Sequence, residues 1–368
     1  MKKLAIIGAN EYQLPLVEKA KEMGIETHCF AWDKEGDTEC RGIADYYHPI
    51  SILEKEQILE KCKEIKIDGV ASIMVDYAVP TVAYIAQNMG LPGNRYEDAL
   101  ITTNKYLLRQ VFYRHGVKSP RFATVRESVD LSGFHYPLIV KPTDRSDSVG
   151  VIKVEREKDL KDAIQKAIND SYCKEAIIEE LITGSEVSVD SISWNGKHYL
   201  LAIKDKDISK SIDFLLLAKH YPSLLSEEIQ NKIKDETIKA LDAINFKYGA
   251  ANTQFKINDA GDVFSIEINP RMPGDHAWMT IPLHNGYDYL KGVIDVALDQ
   301  FEEPVFTDNK FSGMYYLYEN TEWARQIIDH KNGDPDIVKM ALFNEEEKYK
   351  GRIGYFVYQS DKKRRWGE

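Results

Sequence analysis

The chain is 368 residues long, 43% hydrophobic and 29% charged; this excludes a disordered or collagen-like chain, and at roughly 150 residues per domain it predicts two or three domains. Lys and Arg number 48 against 59 Asp and Glu, a formal net charge of −11, an acid surplus that argues against a general polyanion binder and leaves nucleic acid out of the expected partners. No apolar run approaches the roughly 18 residues of a bilayer span, the opening MKKLAIIGANEYQLP lacks the core of a secretory signal, and Cys29, Cys40, Cys62 and Cys173 fall into no disulfide or metal-finger spacing, so a cytoplasmic protein with no membrane partner is expected.

In chain order, residues 4–7 read as a buried strand ended by Gly8, 12–23 as a helix closed by Gly24, and 25–31 as a second strand. A helix over 54–65, a short strand over 69–74 and a helix over 79–89 follow. Strand–helix repetition of this kind predicts a parallel sheet covered by helices on both faces. Leu91-Pro92-Gly93 punctuates the chain, which places a first domain at 1–93.

The second region, 94–303, reads as α+β. A helix over 104–115 ends at Gly116, a position suited to a left-handed cap. Strands are expected at 121–125, 138–141 and 151–154, a helix at 157–169, and strands at 176–181, 186–193 and 198–204, the last two joined by the hairpin signal Trp194-Asn195-Gly196. A helix over 227–245 precedes strands at 251–257 and 262–269. Residues 304–368, with YYLY at 315–318 and RIGYFVY at 352–358, predict a small β-rich closing unit. The basic run from Lys362 to Arg365 reads as a solvated tail.

The two strands around residue 260 carry the sharpest chemical signal. A four-residue turn from Asn258 to Gly261 sets Phe255 opposite Phe264 and Gln254 opposite Ser265. Alternation then places Gln254, Ser265, Glu267 and Asn269 on one face, and Phe255, Ile257, Phe264, Ile266 and Ile268 on the other, apolar one. An amide, a carboxylate and a second amide on one polar surface are oxygen donors that suit Mg²⁺ sharing its shell with phosphate and water. On the residues alone, a solvated sheet face is equally compatible.

The motifs around this hairpin resemble the ATP-grasp superfamily, in its carbamoyl-phosphate synthase large-subunit-like and biotin-carboxylase-like branch. IEINPR (266–271) is similar to the family's metal and arginine motif, NTQF (252–255) to the strand before it, and IVKP (139–142) to the strand with the phosphate-contacting lysine. IIEELITGSEVSVD (177–190) resembles the hinge that grips adenine and the acid that holds the ribose, and IIGAN with LPLVEKAKEMG resembles a pre-ATP-grasp domain. The resemblance covers at least residues 1–300. It implies an ATP-grasp fold over 94–303 and a cofactor pair of ATP and Mg²⁺, with Mn²⁺ as a substitute. It implies metal ligands Gln254, Glu267 and Asn269, and a catalytic pair of Arg271 on the reacting carboxyl group and Lys141 on phosphate. Lys105 joins Lys141 on the phosphates, Glu179, Glu180, Leu181 and Ile182 line the adenine edge, and Glu186 accepts from the ribose. The segment between Lys141 and Gly150 is poorer in glycine than the family's flap, so Ser146 and Ser148 stand in for glycine amides at the γ-phosphate, with Arg145 offsetting Asp147.

The activity so implied is ATP-dependent activation of a carboxylate as an acyl phosphate for attack by an amine, with ADP and phosphate as products. Amino acids or small peptides are the expected substrates and a homodimer is compatible. Two alternatives stay open: a nucleotide-binding module without turnover, and an NAD-dependent oxidoreductase suggested by the strand–Gly–helix start, although Gly8-Ala9-Asn10-Glu11 lacks the GxGxxG spacing. His276 and His284 read as wall or surface histidines, with no third ligand at zinc spacing.

Overall fold

The computed structural model describes residues 1–34, 38–125, 131–145, 148–209, 215–319, 327–328, 333–343 and 351–366. The N-terminal segment runs β1 (Lys3–Ile7), α1 (Leu14–Glu22), β2 (Glu26–Phe30), β3 (Tyr46–His48), α2 (Lys55–Ile65), β4 (Gly69–Ala71) and α3 (Val79–Met89). Its strands form a parallel sheet in the order β3-β2-β1-β4. Alternate side chains of β1 serve two cores. Leu4 and Ile6 pack with Leu16, Val17 and Ala20 of α1, whereas Ala5 and Ile7 pack with Ile58 and Cys62 of α2 and Ile85 of α3. Helices cover both faces, as the alternation predicts.

The chain continues through α4 (Tyr96–Thr102) and α5 (Lys105–Arg114) into a small antiparallel sheet of β5 (Phe122–Val125), β6 (Leu138–Pro142), β7 (Ile152–Val154) and, after α6 (Leu160–Asp170), β8 (Ala176–Glu180), ordered β5-β8-β6-β7. A larger sheet follows from β9 (Ser185–Trp194), β10 (Lys197–Ile208), β11 (Leu216–Tyr221), β12 (Gly249–Ile257) and β13 (Val263–Asn269), with α7 (Glu227–Ala243) between β11 and β12. Its apolar face, with Val187, Val189, Ile203 and Phe255, packs on Ile233 of α7. Gly184 is needed where β9 begins beside the end of β12: φ is +119°, and a Cβ would lie 1.9 Å from the Ile257 carbonyl oxygen.

Helices α8 (Ala277–Asn285) and α9 (Tyr289–Ala297) come next, then β14 (Phe311–Tyr318), β15 (Ile337–Leu342) and β16 (Arg352–Ser360). Helix α9 returns to the N-terminal sheet, where Val293, Ile294 and Ala297 share a core with Leu4 and Ile6. The C-terminal strands are β-rich as expected, but they extend the large sheet, whose order is β13-β12-β9-β10-β11-β14-β16-β15. Within the basic run Lys362, Lys363 and Arg365 are exposed, as a solvated tail predicts, but Arg364 is tied down. Arg364 pairs with Asp334 at 2.7 Å and with Asp336, and Trp366 stacks edge-on against Tyr315 and Tyr358. No helix among the described residues is long and apolar enough to cross a membrane.

Candidate active site

Asn104 caps α5, its side chain accepting from the Tyr106 and Leu107 amides at 3.0 and 3.1 Å, and so fixes Lys105 as the first helical residue. The Lys105 amide donates to the Thr143 carbonyl at 2.8 Å, and its ammonium donates to the Arg145 carbonyl and lies 3.7 Å from Glu267 Oε1. One turn along the same face, Arg109 is fully buried. Its Nε lies 2.8 Å from Glu179 Oε1, and Lys141 Nζ lies 2.6 Å from Glu179 Oε2. The three side chains thus form a buried ion triad joining α5, β6 and β8. Burial would push the Glu179 carboxyl up, but Arg109 and Lys141 hold it below its ordinary value; burial lowers Lys141 despite Glu179. Sequence reasoning missed Arg109, because its partner stands 70 residues away (179 − 109) and on another element.

The hairpin differs from the regular register. Gln254 is opposite Glu267, but Phe255 is opposite Ser265 and Ile257 opposite Val263, so Ile266 is the extra residue of a β-bulge. Arg109 donates to the Ile266 carbonyl at 2.8 Å, which satisfies the group the bulge leaves out of the ladder. The bulge moves Ser265 to the apolar face with Phe255, where it is fully buried, and puts Val263 rather than Phe264 and Ile266 into that core. Gln254, Glu267 and Asn269 stay together: Gln254 Nε2 donates to Glu267 Oε2 at 3.0 Å, and Asn269 is opposite Asn252 on the same face. Burial would raise the Glu267 carboxyl, but Lys105, Lys141, Arg271 and Lys206 hold it below its ordinary value.

The same polar face runs on across the sheet through residues the sequence reading did not select. Lys206 lies 2.8 Å from Glu186 Oε1 and donates to Gln254 Oε1 at 2.6 Å, and Lys256 lies 3.2 Å from Glu186 Oε2. The Glu186 carboxyl, which burial alone would raise, is drawn down to about 2 by these two lysines. Lys206 is directly opposite Lys219 on β11, a like-charge pair that is unfavourable unless acids flank it. Asp275 does so on the far side, bonding Lys219 and lying 2.6 Å from Lys204, which also meets Asp190 at 3.0 Å. Burial and the neighbouring lysines bring Lys219 down to about 8, against the pull of Asp275. The alternation in Lys204-Asp205-Lys206-Asp207 was a legible signal for this stripe.

Arg271 lies beyond Asn269, where Asp76 of the N-terminal segment holds its guanidinium fork, Nε at 2.8 Å and Nη2 at 2.7 Å from Oδ1. Asp76, Lys105, Asp144, Arg145, Glu267 and Asn269 line one open cleft of about 460 Å³. Ser146 and Asp147 lie outside the described residues; Ser148 takes a left-handed φ of 57°, a conformation more usual for glycine. Arg145 rests on the Tyr172 ring at 4.3 Å. In the hinge, the Glu180 and Leu181 amides donate to the Arg121 and Pro137 carbonyls at 3.0 and 3.3 Å, and Ile182 follows at the end of β8. His276 stacks on Tyr355 at 4.1 Å and His284 on Tyr221 at 5.6 Å, which makes both wall residues.

Residues 134–279 match a family model described as the ATP-grasp domain, and that stretch holds Lys141, Glu179, Glu186, Gln254, Glu267, Asn269 and Arg271. The chain has the ATP-grasp fold. It is similar to the L-amino acid ligase structure from Bacillus licheniformis, with a TM-score of 0.81 at 22% identity over 98% of this chain and 94% of that one. It is 26% identical to the alanine–anticapsin ligase of Bacillus amyloliquefaciens over 74% of this chain, and to the D-alanine–D-alanine ligase of Geobacillus thermodenitrificans over 61%. The matched stretches span about two thirds of those relatives, 65% and 67% of their length. The ATP-grasp fold therefore joins this polar sheet face to the small sheet of β5–β8 across the cleft.

Proposed function

We propose that the chain is an ATP-dependent carboxylate–amine ligase for amino acids or small peptides, forming ADP and phosphate. One observation carries the reading. Glu267 sits between the Gln254 amide and the Lys105 ammonium, two residues from Asn269 and four from Arg271, whose fork Asp76 pins at the rim of the same cleft. The ligase relatives act on amino acids by name, and the resemblance to carbamoyl-phosphate synthase-like and biotin-carboxylase-like enzymes is kept for the nucleotide half.

The donor set fits Mg²⁺. It is all oxygen, with one carboxylate and two amides, which suits an ion that completes its shell with phosphate and water. Mg²⁺ held by Glu267, Asn269 and a re-oriented Gln254 would neutralise charge on the terminal phosphates. The protein's own groups do the remainder. Lys141 and Lys105 bind phosphate oxygens as point charges, the hinge from Glu179 to Ile182 lies along the adenine, and Glu186, with its two lysines, meets the ribose. Ser148 contributes to the contacts with the γ-phosphate. Arg271 orients the carboxylate in line with that phosphate by two-point hydrogen bonding. Attack there places developing charge where cations already stand. Incubation with ATP, Mg²⁺ and a matrix of amino-acid pairs should give phosphate and dipeptide in equal amounts for at least one pair. ATP binding without phosphate release across the matrix would favour a nucleotide-binding module.

A further inference from the structure

Between the N-terminal sheet and the start of β12 lies a cavity with about 780 Å³ of empty space, its open mouth included. Its walls are apolar: Val79 and Ala83 of α3, Val293 and Val296 of α9, and Phe246 beyond α7. The pocket is open to solvent, and a concave, mostly apolar recess with a few polar groups beside a candidate active site is the kind of place where small-molecule groups bind.

The polar groups on its wall are already satisfied by the protein. Asn94 accepts from the Lys247 and Tyr248 amides at 2.7 and 3.1 Å and donates to the Tyr248 carbonyl at 2.7 Å. Asp98 accepts from Asn245 at 2.7 Å, Ser72 donates to the Ile7 carbonyl at 2.7 Å, and Thr102 donates to the Ala99 carbonyl at 2.9 Å. Arg271, the one cation on the wall, is held by Asp76. A charged or strongly hydrogen-bonding ligand would lose its water shell here for little return, whereas an apolar group loses nothing. The cavity also shares Val79, Thr102 and Pro270 with the cleft that holds Lys105, Glu267 and Asn269.

We propose that this cavity is a binding site for an uncharged apolar group, a branched aliphatic chain or a single ring, beside the Arg271 end of the cleft. Two sources share that chemistry. One is the side chain of an amino acid whose charged end lies in the neighbouring cleft, a source that rests on the ligase reading. The other is a free apolar effector, which does not.

The test reads binding without turnover, so its failure is separate from failure of the ligase reading. The full chain is titrated with L-leucine, L-phenylalanine and indole by calorimetry, beside the cavity-filling variants Val296→Phe and Ala83→Leu. At least one probe should bind the unaltered protein, and its Kd should rise about tenfold or more in a filled variant whose ATP affinity is unchanged. Amino-acid binding that indole displaces identifies the side-chain source; indole binding indifferent to amino acids identifies an effector. Should both variants unfold, hydrogen exchange on the unaltered protein decides, with slower exchange in α4 and α9 at saturating probe expected. No binding of any probe, equal affinity in a folded filled variant, or unchanged exchange overturns the proposal.

Discussion

The N-terminal sheet and the large sheet spend their side chains differently. The residues of β1 from Leu4 to Ile7 are apolar on both faces and each face meets helices, so that strand is held by packing, and the sheet's charged pairs, such as Lys3 with Glu26, stand at its end. The large sheet buries Val187, Val189 and Phe255 on one face and sets Glu186, Lys204, Lys206, Gln254 and Glu267 on the other. Buried charge is costly unless paired. A face that keeps so many paired charges is therefore the part of the molecule shaped by what it binds rather than by packing alone.

The sharpest way to break this contrast is to remove one paired acid. Glu179→Ala leaves Lys141 and Arg109 buried without their partner and should cost about 3–5 kcal/mol in denaturant unfolding; a cost near that of an ordinary surface change would mean the triad is not held by pairing. Next comes Glu267→Gln, on a half-exposed site with a side chain 28% accessible. It should lower turnover about 100-fold or more while the melting temperature stays near that of the unaltered protein. Equal turnover would remove Glu267 from the reaction.

Acid should also separate charge from packing. Burial lowers His276 to about 4 from an ordinary 6.5, so the unfolded chain takes up a proton that the folded chain refuses between those values. Stability attributable to this residue is complete above pH 6.5, falls as the pH drops towards 4 and levels off below it, a change of up to about 3 kcal/mol. His276→Asn should flatten that part of an unfolding curve measured against pH; an unchanged slope would contradict the burial account. The smallest effect tests the bulge. Ser265 is fully buried on the apolar face, its Oγ without a hydrogen-bond partner among the described residues. Ser265→Ala should therefore be neutral or stabilising by about 1 kcal/mol or less, whereas a clear loss of metal-dependent activity would return Ser265 to the polar face.

These regions also differ in how far they can be read from sequence. The parallel sheet was legible because glycine stops and apolar runs repeat along β1, α1, α2 and α3. Gln254, Glu267 and Asn269 were legible as a group, but the bulge at Ile266 was not, since Arg109, 157 residues away, stabilises it. Helix α8 escaped because its apolar residues form no one-sided stripe and Pro282 stands in its interior. Asp76 and Asp275 escaped for a different reason: an acid's partner is set by tertiary approach, and nothing local to either residue marks it.

The central claim is transfer of the γ-phosphoryl group to a carboxylate, and the nucleotide product tests it most directly. Chromatography of spent nucleotide, after incubation with ATP, Mg²⁺ and an amino-acid pair that supports turnover, should show ADP equal to the phosphate released. AMP and pyrophosphate as the stoichiometric products would contradict it, because the Gln254, Glu267 and Asn269 face and Arg271 beside it would then be serving the wrong phosphate.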